Sequence, residues 1–265
     1  MFEDDDGGRQ TSSLRGRLSD VFFPALLSDS QEELGKRLGS RAKIYAPIVG
    51  AAAGAVEVSR RLKELAAWLS DHSAAFSAAS TVVGVDRDVT EGTLSMRVNE
   101  QHIELPVALI MERRKAREVD LRIYHATLPL KCSQAARPAR GPSEKDPAVP
   151  AHVAEHLALI RLGDVDALVA GFETDGSVRD GTGKVHARTS GSMHAFYVKL
   201  LQSGPAANDW QPVVISVVDD GRTCAVEYET SKLRGGEIAP KEGAMIFERG
   251  ANGLLTSVRI YDEAE

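Results

Sequence analysis

The chain has 265 residues, enough for two ordinary domains rather than one. With 43% hydrophobic and 26% charged residues it can bury a core without disulfide or metal staples. Its net charge of −6 gives no electrostatic case for nucleic acid, which demands a concentrated basic surface. No apolar run approaches the roughly 20 residues of a membrane span, so neither nucleic acid nor membrane is an expected partner.

Residues 1–13, opening Met1-Phe2-Glu3-Asp4-Asp5-Asp6, hold too little apolar surface to offset the entropy of ordering and read as a loose acidic tail without a signal segment. The two cysteines, Cys132 and Cys224, have no metal-type spacing and suit a reducing compartment. Together these features predict a cytoplasmic protein. Residues 14–130 form the first half. There an amphipathic helix is predicted over Ala53–Leu69, followed by strands over Ala78–Val85, Gly92–Val98, His102–Met111 and Glu118–His125. Pro138, Pro142, Pro147 and Pro150 then mark residues 131–150 as a linker, because proline removes backbone donors and disfavours helix.

The second half, 151–265, is easier to read. A helix runs to Leu162 with Gly163 as its stop, and Asp164 can cap a short helix over Val165–Phe172. Glu173-Thr174-Asp175-Gly176 predicts a turn, and Ser177–Asp180 a short strand. Met193, Phe196, Tyr197, Leu200 and Leu201 make one apolar helical stripe behind a cap at Thr189 or Ser190. Strands are predicted over Val213–Val218, Thr223–Thr230, Ala244–Arg249 and Leu254–Asp262, with Asp219-Asp220-Gly221-Arg222 as a hairpin turn. Cys224, Val226 and Tyr228 alternate with Ala225, Glu227 and Glu229, which predicts a sheet with one buried face.

Arg122-Ile123-Tyr124 recurs as Arg259-Ile260-Tyr261, a spacing of 259 − 122 = 137 residues. With the same element order behind both copies, an internal duplication is the better reading.

The run Leu162-Gly163-Asp164-Val165 to Phe172, the segment Asp175-Gly176-Ser177-Val178-Arg179-Asp180-Gly181, and Gly253-Leu254-Leu255 before the last Arg-Ile-Tyr-Asp strand resemble the nuclear-transport-factor-2-like superfamily. More narrowly the chain looks like the SnoaL-like polyketide cyclases and the ketosteroid isomerases. The resemblance covers residues 150–262 and, more weakly, 30–125. It implies an α+β fold of two tandem cone-shaped barrels of the cystatin-like roll type, each a curved antiparallel sheet packed on helices. It implies no cofactor, and it places the fold better than the reaction.

By this resemblance Asp180 takes the position of the general base. On a strand it shares a face with Val178, so an apolar interior would desolvate the carboxylate and raise its proton affinity. The alternative is that Asp180 only opens the Asp-Gly turn. His156 aligns with the oxyanion-stabilising position of the first helix, or is simply a polar helix-face residue. Met245 stands where the isomerases place a second donor, which argues against steroid chemistry as such, and Tyr228 is a substitute donor. Phe172, Val178, Phe196, Met245 and Phe247 complete the expected wall for a small apolar molecule.

His152 and His156 share a helix face but lack further ligands at metal spacing, so no metal is expected. Gly181-Thr182-Gly183-Lys184 lacks the first glycine of a phosphate loop. In the first half Ala46 aligns with Asp180, which makes that half a structural partner in an intrachain pseudo-dimer; homo-oligomers stay open. Two functions compete. One is a small-molecule enzyme whose carboxylate base acts on an apolar carbonyl compound (isomerisation, cyclisation or hydration). The other is a non-catalytic ligand-binding or protein-assembly module with a vestigial pocket.

Overall fold

The computed structural model describes residues 15–115, 118–126, 130, 147–202, 211–231 and 241–262. The predicted tail, most of the predicted linker and Cys132 lie outside the described residues.

The first half runs α1 (Leu18–Leu27), α2 (Gln31–Leu38), β1 (Lys43–Ala46), β2 (Gly50–Ala53), α3 (Ala55–Asp71), β3 (Ala75–Val83), β4 (Arg87–Val98), β5 (Gln101–Lys115) and β6 (Glu118–Tyr124). The second half repeats that order as α4 (Ala151–Leu162), α5 (Val165–Ala170), β7 (Phe172–Arg179), β8 (Val185–Ala187), α6 (Ser192–Gln202), β9 (Gln211–Asp219), β10 (Thr223–Ser231), β11 (Lys241–Arg249) and β12 (Leu255–Asp262). The fold is thus α+β, with two six-stranded mixed sheets.

Local chemistry accounts for most boundaries. Gly163 ends α4 in the left-handed region at φ 72°, where a side chain would be strained. The Asp164 carboxylate accepts the Ala167 N–H at 3.0 Å and starts α5. Helix α5 stops at Ala170, so Phe172 opens β7 instead of closing a helix, and the predicted turn at 173–176 lies within that strand. Helices α1 and α2 carry Pro24 and Gly35, which weaken their sequence signal; burial of Phe22, Phe23, Leu26, Leu34 and Leu38 against α3 and the sheet holds them.

The sheets are ordered β2-β1-β6-β5-β4-β3 and β8-β7-β12-β11-β10-β9, the same arrangement shifted by six strands. The registers coincide as well. Lys43, Ile44 and Tyr45 lie beside Asp120, Leu121 and Arg122 in parallel, while Ser177, Val178 and Arg179 lie beside Ser257, Val258 and Arg259. Among the described residues both sheets stay open, with β2 and β3 or β8 and β9 at their edges, which corrects the expected barrels. Helices already cover each inner face, so burial does not require strand closure.

The prediction of one buried sheet face also needs correction. In β10, Cys224, Val226 and Tyr228 enter the second half's core, yet Ala225 and Glu227 on the other face are equally buried. The two sheets meet there. Val82, Val89, Ala108, Ile110 and Tyr124 from the first half pack with Val218, Ala225, Ala244, Ile246 and Tyr261 from the second.

Two reciprocal charge clusters cross this contact. Glu227 accepts the Arg122 Nε and Nη2 protons at 2.5 and 2.9 Å, the Tyr124 hydroxyl at 2.8 Å, and the Ser216 hydroxyl from its own half. Glu91 accepts the Arg259 Nε and Nη2 protons at 2.7 and 2.8 Å, the Tyr261 hydroxyl at 2.7 Å, and Ser80 from its own half at 2.5 Å. Behind them Arg122 reaches Glu112 and Arg259 reaches Glu248, each at 3.2 Å. The serine, two glutamates, arginine and tyrosine named on one side match those on the other, as a two-fold interface requires, and the Tyr124 hydroxyl also lies 3.4 Å from Glu242. Burial alone would raise the Glu91 pKa, but hydrogen bonds and charge from Arg259 outweigh it and hold the carboxyl below its usual range. The repeated Arg-Ile-Tyr is therefore a clamp: its arginine and tyrosine face the other half, and Ile123 and Ile260 face their own cores.

Candidate functional site

Strand β7 ends at Arg179, so Asp180 is the first residue of the turn into β8 and not the last of a strand. Its Oδ1 accepts the Thr182 N–H at 3.0 Å, the Thr182 hydroxyl at 2.6 Å and the Lys184 N–H at 3.0 Å. That closes a tight side-chain-to-backbone turn. Its Oδ2 accepts from His186 Nε2 on β8 at 2.8 Å. Burial alone would raise the Asp180 pKa, but hydrogen bonds from His186, Thr182 and Lys184 outweigh it and hold the carboxyl below its usual range. This overturns the expectation that desolvation would make Asp180 a stronger base.

An ionised Asp180 only accepts, so the proton it shares with His186 sits on Nε2. Among the described residues Nδ1 has no hydrogen-bond partner. Phe196 of α6 stacks on the imidazole at 4.7 Å between centroids, 26° from parallel. His186 is thus the side chain that joins two predicted site residues, Asp180 and Phe196. Its signal in the sequence was a second titratable group across the four-residue turn from Asp180.

The remaining predicted residues gather elsewhere. His156 is buried in α4, ringed edge-on by Phe172, Tyr197 and Phe247 at 5.8, 5.9 and 5.3 Å. Its Nε2 lies 3.3 Å from the Tyr197 hydroxyl, and burial, aided by the charge on His152, pushes its pKa down to about 3. Val178, Tyr228, Met245 and Phe247 belong to the same packed cluster, all within 2% of full burial. The Tyr228 pKa is raised well above its ordinary value by burial and then by the charge on Asp262. Asp262 also borders the Asp180 turn: a Cβ on Gly181 would sit 2.4 Å from its Oδ1, so a larger residue there would push the Asp262 carboxylate aside.

The paired registers extend to this hairpin. Val178 lies opposite His186 as Ile44 lies opposite Ala52, so Ala46 and Ala52 occupy the Asp180 and His186 positions in the first half. Two surface hollows of about 670 and about 510 Å³ run along α3 in the first half and touch none of the predicted site residues. Cys224 is buried, and burial pushes its thiol up to about 12. Among the described residues no group of three or more His, Cys, Asp or Glu side chains converges as a metal site. No helix among them is long and apolar enough to cross a membrane.

No protein-family description and no curated protein matches the chain. Among solved structures, a protein from Sphaerobacter thermophilus is 14% identical, the alignment covering 43% of this chain and 94% of that one at a TM-score of 0.33. The epoxide hydrolase/cyclase-like enzyme SalBIII of pyran ring formation in the polyether salinomycin is 17% identical, over 42% of this chain and 87% of that one at a TM-score of 0.31. Each likeness spans less than half of this chain.

Proposed function

We propose that the second half is a small-molecule enzyme of the SnoaL-like kind in which His186, held by Asp180, transfers a proton on an apolar carbonyl compound. The carrying observation is the Asp180–His186 pair at 2.8 Å, present in one half and replaced by Ala46 and Ala52 at matching register in the other. In this reading Asp180 stays charged and orients the imidazole, Nδ1 is the base, and Phe196 offers an apolar wall to the substrate. The role first expected of Asp180 passes to its partner. Residues 14–130 and 151–265 are tandem domains of the nuclear-transport-factor-2-like type, fused as an internal pseudo-dimer in which the first is the structural member.

The test is exchange of the α-protons of apolar ketones in D2O, followed by proton NMR with the full-length protein. His186→Gln should slow any exchange by about 10²–10⁴-fold, the usual worth of a general base. Asp180→Asn should also slow it, because an amide can present its NH2 to the ring and reverse the tautomer. Exchange unaltered by His186→Gln would end the assignment.

A second reading has its own support. His156, Phe172, Val178, Tyr228, Met245 and Phe247 fill the second half's interior as one core, which suits a non-catalytic assembly module. That reading expects neither exchange nor a ligand-induced rise in melting temperature across the same ketones.

A further inference from the structure

The first half touches the Asp180 hairpin through one chain of side chains. Arg179, the residue before Asp180, donates from Nη2 to the Tyr261 hydroxyl, and its guanidinium lies 4.8 Å from the centre of the Tyr261 ring. The same hydroxyl donates to Glu91 of the first half at 2.7 Å. Tyr261 thereby accepts from a cation and donates to an anion, an arrangement in which each hydrogen bond polarises and strengthens the next. Glu91 is itself fixed by Arg259 and Ser80. A buried carboxylate of one half is thus tied to the last strand residue before the Asp180 turn of the other.

The reciprocal cluster ends differently. Tyr124 bonds Glu227, but the position matching Arg179 is Tyr45, and the residue after it is Ala46. Two matching clamps therefore span the interface: the one built on Glu91 continues through Tyr261 and Arg179 to the strand end before the Asp180–His186 pair, and in the other the Tyr124 hydroxyl also lies 3.4 Å from Glu242.

We propose that Glu91 and Tyr261 are positioning residues: acting through Arg179, they hold the end of β7 so that Asp180 stays in register with His186. This inference rests on the proton-transfer reading above. It gives the first half a task beyond covering a sheet, that of setting the geometry of a site it does not contain. A displacement of about 1 Å in such a pair can cost on the order of 100-fold in rate.

The experiment compares Tyr261→Phe with Tyr124→Phe in the full-length protein. Each removes one hydroxyl from one clamp and leaves the arginine–glutamate pairs in place. Two readouts are taken: ¹⁵N NMR of the His186 ring, which reports which nitrogen carries the proton, and kcat and KM for α-proton exchange. Both variants should lower the melting temperature alike. Tyr261→Phe alone should disturb the His186 ring signals and lower kcat by about 10–100-fold with KM unchanged, and Tyr124→Phe should leave ring and rate as they were. Equal effects of the two variants on the His186 ring, or no effect from either, would overturn the inference. The ring readout holds even if the wild-type protein exchanges no ketone, so a failure of the relay is distinguishable from a failure of the proposed reaction.

Discussion

The two halves share element order, strand order, parallel register and a clamp with matching serine, glutamate, arginine and tyrosine, yet differ at the β1–β2 and β7–β8 hairpins. What both copies retain is what the interface cannot lose. Glu227 is fully buried, and removing its cation would leave an uncompensated charge in a dry contact. The Asp180 pair sits at a partly open edge, where Ala46 and Ala52 can replace it without stranding a charge. Interface and site are therefore under separate physical constraints within one fold.

The harshest test of that difference is Arg122→Met, which should cost about 3–5 kcal/mol in denaturant melts because Glu227 loses its bidentate partner. Arg259→Met should cost less: Arg259 is 19% exposed against 8% for Arg122, so water can partly replace it. Equal losses would mean that the clamps are energetically as well as geometrically matched.

Acid titration compares the halves next. Each holds a buried neutral histidine: His125 in the first, its pKa pushed down by burial to about 4, and His156 in the second, pushed to about 3. Below the ordinary value of 6.5 the unfolded chain binds protons that the folded one refuses. Their contribution to stability is thus complete above pH 6.5 and is lost as the pH falls, until about pH 4 for His125 and about pH 3 for His156. The slope should approach about 1.4 kcal/mol per pH unit for each histidine. His156→Gln should remove its share of that slope between pH 6.5 and 4; a slope left whole would show that His156 titrates normally. The carboxyls held low at Glu91, Asp180 and Glu248 add their losses at more acidic pH.

The smallest effect concerns a turn. Asn99 and Glu100 join β4 to β5 with φ of 49° and 67°, and glutamate adopts that region poorly. Glu100→Gly should raise stability by about 0.5–1 kcal/mol, read as a higher melting temperature. No gain would mean that the glutamate side chain supplies compensating contacts.

Much of the fold is legible because its signals are local. Asp164 caps α5 through its own carboxylate, Gly163 stops α4 at positive φ, and Met193, Tyr197 and Leu201 mark the buried stripe of α6. The same reasoning misses α1 and α2, where Pro24 and Gly35 suppress a pattern that tertiary burial then enforces. The site is harder to read. Asp180 stands out by resemblance, but the group it holds, His186, lies on the next strand. His156, selected by its helix position, proves to be a core residue among aromatic rings.

By itself the sequence determined α3, α4, α5, α6, most of the long strands and the 137-residue repeat, because each is written in residues a few positions apart or in a plain recurrence. Only the tertiary structure decided that Glu91 and Glu227 face inward. A carboxylate on an alternating strand reads as solvated unless a cation meets it, and here the arginines arrive from 168 and 105 residues away. Burying such a charge is tolerable only after both halves have folded and met, so no local pattern carries that information.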